Sequence, residues 1–113
     1  MIIENYTFGR ITVNRMEYSN DLIIFPDKVK SNWWRREGHL LNVEDIQEIL
    51  DFKPEVLIIG TGMNGIMEVN DEVQTKLSEG GIEFYIERTP KAVELYNRIC
   101  QEKKTVAALH LTC

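Results

Sequence analysis

The sequence predicts an α/β fold whose second half is a mostly parallel sheet layered with helices and whose first part is an N-terminal antiparallel β-hairpin region. Three observations predict it. Val56–Gly60 reads VLIIG, an aliphatic run without polar alternation, which is the pattern of a strand buried on both faces in the middle of a sheet. Behind it, helical and strand patterns alternate as in βα units, which favours parallel pairing through right-handed crossovers. Ahead of it lie short segments separated by turn-forming residues, the mark of antiparallel strands. At 113 residues the chain, 1–113, is expected to form one domain around one core.

Ile11-Thr-Val13 and Met16-Glu-Tyr18 flank Asn14-Arg15, and asparagine tolerates the left-handed backbone of a tight turn, so these residues read as a hairpin. Leu22–Phe25 is a third short strand, stopped by Pro26, which has no N–H for a ladder. Asp27–Leu41 follows neither period; so long an aperiodic stretch is either a functional loop or a misread one. Asn42 caps a helix that turns Ile46, Ile49 and Leu50 inward, with Glu44 and Asp45 at its positive pole and Pro54 enforcing its end. A second helix, Asn70–Glu79, is capped by Asn70, buries Val73 and Leu77, and leaves through Gly80-Gly81. Strand Ile82–Glu87, helix Pro90–Gln101 and strand Thr105–Leu111 complete the chain. Pro90 suits a first helical position, where no hydrogen bond is lost, and Ala92, Val93, Tyr96, Ile99 and Cys100 form one apolar face.

Thirteen basic against eighteen acidic residues leave a net charge of −5, which argues against a general nucleic-acid or acidic-membrane binder. The N-terminal residues lack the basic and apolar regions of a signal peptide, and no apolar run approaches the ~20 residues of a membrane span. A cytoplasmic protein is expected. The two cysteines, Cys100 and Cys113, form neither a C-x-x-C pair nor a disulfide framework, so reduced thiols are expected.

Gly60-Thr-Gly62-Met-Asn-Gly65 satisfies G-x-G-x-x-G after a strand, and Glu87 ends the next strand near where a ribose-binding acid would stand. A dinucleotide site also needs a helix to begin inside that loop, so that its free N–H groups meet the pyrophosphate. Here Ile66-Met-Glu-Val69 intervenes and the cap waits until Asn70, which fits a turn and a short extended segment better. The loop's N–H groups remain a candidate cradle for a smaller anion.

Trp33-Trp34-Arg35-Arg36 combines aromatic faces with cations, as single-strand nucleic-acid binders do. The plainer account is that one tryptophan is core, the other covers a cleft, and the arginines pair with nearby acids. The functional account gathers Trp34, Arg36 and His39 with Thr61 and Gly62 into a small anion- or ligand-binding cleft over the C-terminal end of the Val56–Gly60 strand. His110 lies in a run apolar on both sides and reads first as a hydrogen-bonded core histidine. With Cys113 it would make a thiol/imidazole pair, but no third partner stands out, and two ligands fall short of a zinc site. No metal and no cofactor are expected, and no catalytic residue is assigned.

Arg36-Glu37-Gly38-His39 after a tryptophan, Ile59-Gly60-Thr61-Gly62, the Thr89–Asn97 segment with its Thr-x-x-Ala-Val-x-x-Tyr-Asn pattern, and His110-Leu-Thr112-Cys113 together resemble a small uncharacterised-domain family. That family includes archaeal hypothetical proteins, the adipogenesis-associated domain-containing protein and a mitochondrial complex I assembly factor; this chain looks most like an archaeal member. The resemblance spans nearly the whole chain and implies a three-layer α/β domain with a mixed central sheet, one strand antiparallel, and no established enzymatic activity. The mitochondrial branch lacks the His-x-Thr-Cys ending.

A non-catalytic binding or assembly module follows from the missing acid–base pair, metal set and triad. The alternative is a small-molecule enzyme or anion-binding domain using the cleft at the strand ends, where open α/β sheets bind ligands. The expected partner is an unidentified protein or a small anionic ligand, with a homodimer compatible and neither nucleic acid nor membrane. Calorimetric titration with NAD and NADP is expected to show no binding, because the helix starts too late to meet a pyrophosphate; a saturable heat would reverse the reading of the loop.

Overall fold

In the computed structural model, which describes residues 1–113, strands and helices follow one another as β1 (Ile3–Thr7), β2 (Arg10–Val13), β3 (Met16–Tyr18), β4 (Leu22–Ile24), β5 (Val29–Lys30), β6 (Leu40–Leu41), α1 (Gln47–Phe52), β7 (Val56–Thr61), β8 (Glu68–Val69), α2 (Asp71–Glu79), β9 (Glu83–Glu87), α3 (Thr89–Ile99) and β10 (Thr105–His110). The central sheet has the order β5-β4-β10-β7-β9. β10, β7 and β9 are parallel, whereas β4 runs antiparallel to β10 and β5 antiparallel to β4, so the sheet is mixed. β1, β2 and β3 form a separate antiparallel sheet, and β6 pairs with β8.

Alternation explains why β7 and β10 are apolar throughout. Leu57, Ile59, Val106 and Ala108 face one layer, with Ile49 of α1 and Val73 and Leu77 of α2. Val56, Ile58, Ala107 and Leu109 face the other, with Ala92, Leu95 and Tyr96 of α3 and Ile3, Ile11 and Val13 of the hairpin sheet. Every residue of both strands is buried, and each enclosed Leu or Ile contributes about 1.5–3 kcal/mol. Gly60 lets α3 approach: a Cβ there would lie 2.8 Å from both Leu109 Cδ2 and Thr89 Oγ1.

The hairpin turn at Asn14-Arg15 has positive φ at both residues (46° and 69°), the mirror-image turn that matches strand twist. Leu22–Ile24, grouped in the sequence reading with the N-terminal strands, instead joins the central sheet beside β10; the hairpin's third strand is Ile3–Thr7, whose mixed aromatic and polar residues hid it. Asp27–Leu41 is not structureless. It contains β5 and β6, which at two residues each are too short to display a period. The segment capped by Asn42 begins as a 3-10 turn, Val43–Ile46, before α1, and Asp45 accepts a hydrogen bond from the Asn42 N–H at 2.8 Å. α2 starts at the Asn70 cap, whose side chain accepts from the Glu72 N–H.

Tyr96 is wholly enclosed by α3 and the sheet, its hydroxyl has no hydrogen-bond partner, and burial raises its pKa. Tyr96→Phe removes that unsatisfied group without opening a cavity and is expected to leave stability unchanged or raise it by about 1 kcal/mol in urea unfolding. A clear loss would mean that the hydroxyl has a partner in solution.

Candidate functional site

β10 and β7 end side by side, His110 opposite Thr61, and the chain beyond β10 lies along the glycine loop. The Met63 N–H donates to the Thr112 carbonyl at 2.7 Å and the Ile66 N–H to the Cys113 carbonyl at 3.0 Å. The Leu111 carbonyl accepts from the Gly9 N–H and the Tyr6 hydroxyl, both at 2.8 Å. Tyr6 has its pKa pushed up to about 12 by burial and by the negative charge of Asp21. Gly62 has φ +107°, and a Cβ there would lie 2.4 Å from the Cys113 backbone and 2.8 Å from His110 Cδ2, so only glycine fits. The motif's glycines thus serve the chain's own backbone. The helix after the loop starts at Asp71, as its cap predicts.

Asp21, just ahead of β4, anchors the strand ends. Its Oδ1 accepts from the Leu111 N–H at 2.7 Å. Its Oδ2 lies 2.8 Å from both His110 Nδ1 and Arg35 Nη2. Arg35 Nη2 also donates to the Gly38 carbonyl at 2.9 Å and stands 3.2 Å from His110 Nδ1. Both hydrogens of Nη2 are thereby claimed by oxygen, which assigns the remaining proton to His110 Nδ1 as donor to Asp21 and leaves Nε2 as an acceptor. Nε2 faces the Thr112 hydroxyl at 3.5 Å. Arg35 and His110 are buried, Arg35 is stacked 4.7 Å from the Trp33 ring, and its Nε and Nη1 have no partner. Burial works against the Asp21 carboxylate, but donation from His110, the Leu111 N–H and Arg35 outweighs it and holds the pKa below its usual value.

The residues singled out from sequence separate into groups. Thr61 and Gly62 lie at the strand end, but the Thr61 hydroxyl donates to the Glu87 carbonyl and the Gly62 N–H to Thr89 Oγ1. His39 is exposed, its ring 5.7 Å from that of His110. Arg36 is directed to Glu44, 3.7 Å away, and the guanidinium beside the imidazoles is that of Arg35. Trp33 is the core tryptophan and Trp34 the exposed one. Cys113 is exposed and makes no hydrogen bond with His110, so the proposed thiol/imidazole pair is not formed in this arrangement. Asp21 escaped the sequence reading because a lone acid between two strands carries no pattern. Arg35 escaped it because an aperiodic segment does not say which of two adjacent arginines turns inward; in the fold Trp33 and Arg35 are buried and Trp34 and Arg36 exposed.

A shallow concavity of about 370 Å³ opens beside this network, bordered by Asp21, Asn32, Trp33, Trp34 and Thr112. The family model described as "Protein of unknown function (DUF498/DUF598)" matches residues 3–111. The chain belongs to the DUF498/DUF598 family. The fold is shared with solved structures: a conserved hypothetical protein from Pyrococcus horikoshii superposes with a TM-score of 0.85 at 25% identity, covering 100% of both chains. A protein from Bartonella henselae described as an outer membrane protein superposes with a TM-score of 0.82 at 24% identity over 98% of this chain and 94% of its own. A Bordetella pertussis protein described as a Mth938-like domain gives 0.70 at 23% identity over 97% and 85%. In the DUF498/DUF598 chain described here, no helix is long and apolar enough to cross a membrane.

Asp21→Ala leaves the Arg35 guanidinium buried without its counter-charge and is expected to cost about 3–5 kcal/mol in urea unfolding at pH 7. Because the folded pKa of Asp21 is depressed, its contribution is in force above the unfolded value of 3.8 and fades as pH falls through the lower folded value. The variant should lack this part of the acid limb; an acid limb unchanged from the parent protein would show that the carboxylate does not hold the strand ends.

Proposed function

We propose that this chain is a non-catalytic binding or assembly module whose contact face lies over the C-terminal ends of the parallel strands. The observation that carries this reading is that the groups a reaction would need there are held by the fold itself. Asp21 is engaged by Leu111, His110 and Arg35, the loop's Met63 and Ile66 N–H groups by Thr112 and Cys113, and the Gly62 N–H by Thr89. Trp34 and the concavity beside it face solvent, as do His39 and Cys113. The resemblance of the sequence to a family that includes a mitochondrial assembly factor supports the same reading.

A small-molecule enzyme or anion-binding domain is the second reading, favoured by the two unpartnered nitrogens of Arg35. Asp21 already neutralises that guanidinium, so an added anion would bring a second negative charge to it in a chain of net charge −5. The two readings part in experiment. Tagged parent protein is expected to co-purify with proteins that Trp34→Ala loses, while phosphate and citrate give no saturable NMR shift at Arg35 or His39. Turnover of ester or phosphoester probes that vanishes in His110→Asn would overturn the non-catalytic reading.

A further inference from the structure

We infer that the Trp34 surface is a self-association site, where two copies of this chain meet about a twofold axis with each Trp34 over the other copy's concavities. The inference rests on the binding-module reading and names its partner.

Trp34 is 78% exposed, more than any other large apolar side chain of the molecule. Its position is enforced. Trp33 and Arg35 turn inward on either side of it, Trp33 donating its backbone N–H to the Asp21 carbonyl and its indole N–H to the Asp45 carbonyl, and Arg35 clasping the Asp21 carboxylate. Turning Trp34 in would turn Arg35 out. Tryptophan is enriched among the anchors of protein interfaces.

The surroundings select the occupant. Trp34 stands on the rim shared by two concavities, the one of about 370 Å³ beside Asp21 and Thr112 and a second of about 480 Å³ bordered by Lys30, Arg36, Glu44 and Asp45. A protrusion adjoining hollows is self-complementary under a twofold rotation, which brings the same patch of each copy together. The second hollow carries two cations and two carboxylates and is electrically balanced, whereas the whole chain carries −5. Two copies of an acidic chain therefore repel less across this hollow than across a uniformly acidic surface. A strongly acidic or strongly basic partner would be opposed by half of these charges, while a second copy can set its Arg36 against the first copy's Glu44. The pair these residues make within one chain is long, 3.7 Å, and its side chains are 74% and 58% exposed, so the exchange disturbs little. The patch is small beside a standard interface, which makes the association weak and concentration-dependent.

Sedimentation equilibrium from about 1 μM to about 1 mM, the range of weak association, is expected to show the mass rising from 13.2 kDa towards that of the dimer. Indole emission should shift to the blue in parallel, because Trp33 is already buried and Trp34 is the ring that leaves water. Trp34→Ala should remain at 13.2 kDa throughout, with its fold confirmed by amide NMR. Arg36→Glu should weaken association about tenfold or more, and Arg36→Glu combined with Glu44→Arg should restore it. A parent protein that stays monomeric at about 1 mM, a Trp34→Ala variant that associates like the parent, or a double variant that fails to recover would each overturn the inference. A monomeric parent whose captured proteins still depend on Trp34 sinks self-association alone, whereas His110-dependent turnover sinks the module reading without touching the mass measurement.

Discussion

The Asp21 carboxylate ties three separate pieces of chain to one point: the start of β4 where it resides, the Trp33–Arg35 segment, and the end of β10. Of the groups held, only His110, the last residue of β10, belongs to a regular element. A carboxylate does this work well because it offers several lone pairs to donors from different directions, while a neutral amide would offer fewer and weaker ones. The arrangement is almost charge-balanced, one guanidinium against one carboxylate, with the histidine supplying direction more than charge. Placing it away from water is tolerable only because nearly every oxygen is satisfied; Arg35 carries the residual imbalance on its two unpartnered nitrogens, with the Trp33 ring against its face.

This network has the outward look of catalytic machinery, an acid orienting an imidazole that faces a hydroxyl. It is buried and bonded to backbone, so whatever else it does it holds the strand ends together. The same applies to the glycine loop. In a dinucleotide-binding fold the loop's donors stay open for a ligand and a helix begins among them; here they receive the carbonyls of residues 112 and 113, and a short strand follows. A motif defined by glycine spacing records only that two backbones approach closely. It does not record whether the second backbone belongs to a ligand or to the chain itself.

How much of this was legible in the sequence follows from the range over which each signal acts. β7, β10, α2 and α3 were readable because burial on two faces, capping by Asn70 and Pro90, and a helical apolar stripe are local and repeated. The late start of the helix after Gly65 was readable for the same reason, from the cap at Asn70. β5, β6 and the transfer of β4 to the central sheet were not, since two- and three-residue strands are specified by partners far away in sequence. The candidate site was legible only in outline. His110, Thr61 and Gly62 fall at the strand ends as the βα pattern implies, but the choice of Arg35 over Arg36, and the presence of Asp21, depend on contacts spanning 75 and 89 residues that no spacing rule encodes.

The position of β10 in the sheet has a further consequence for how the molecule is made. β4 and β5 on one side and β7 and β9 on the other are joined only through β10, which follows all of them in sequence. Without residues 105–110, β4 and β5 have no hydrogen-bonded link to β7 and β9. β10 closes the sheet, antiparallel to β4 and parallel to β7, and a chain in which it is displaced exposes an unpaired strand edge on each side. The outer edges of the finished sheet carry charge, Lys30 in β5 and Glu83 and Glu87 at the ends of β9, whereas the edges that β10 covers belong to the apolar strands β4 and β7.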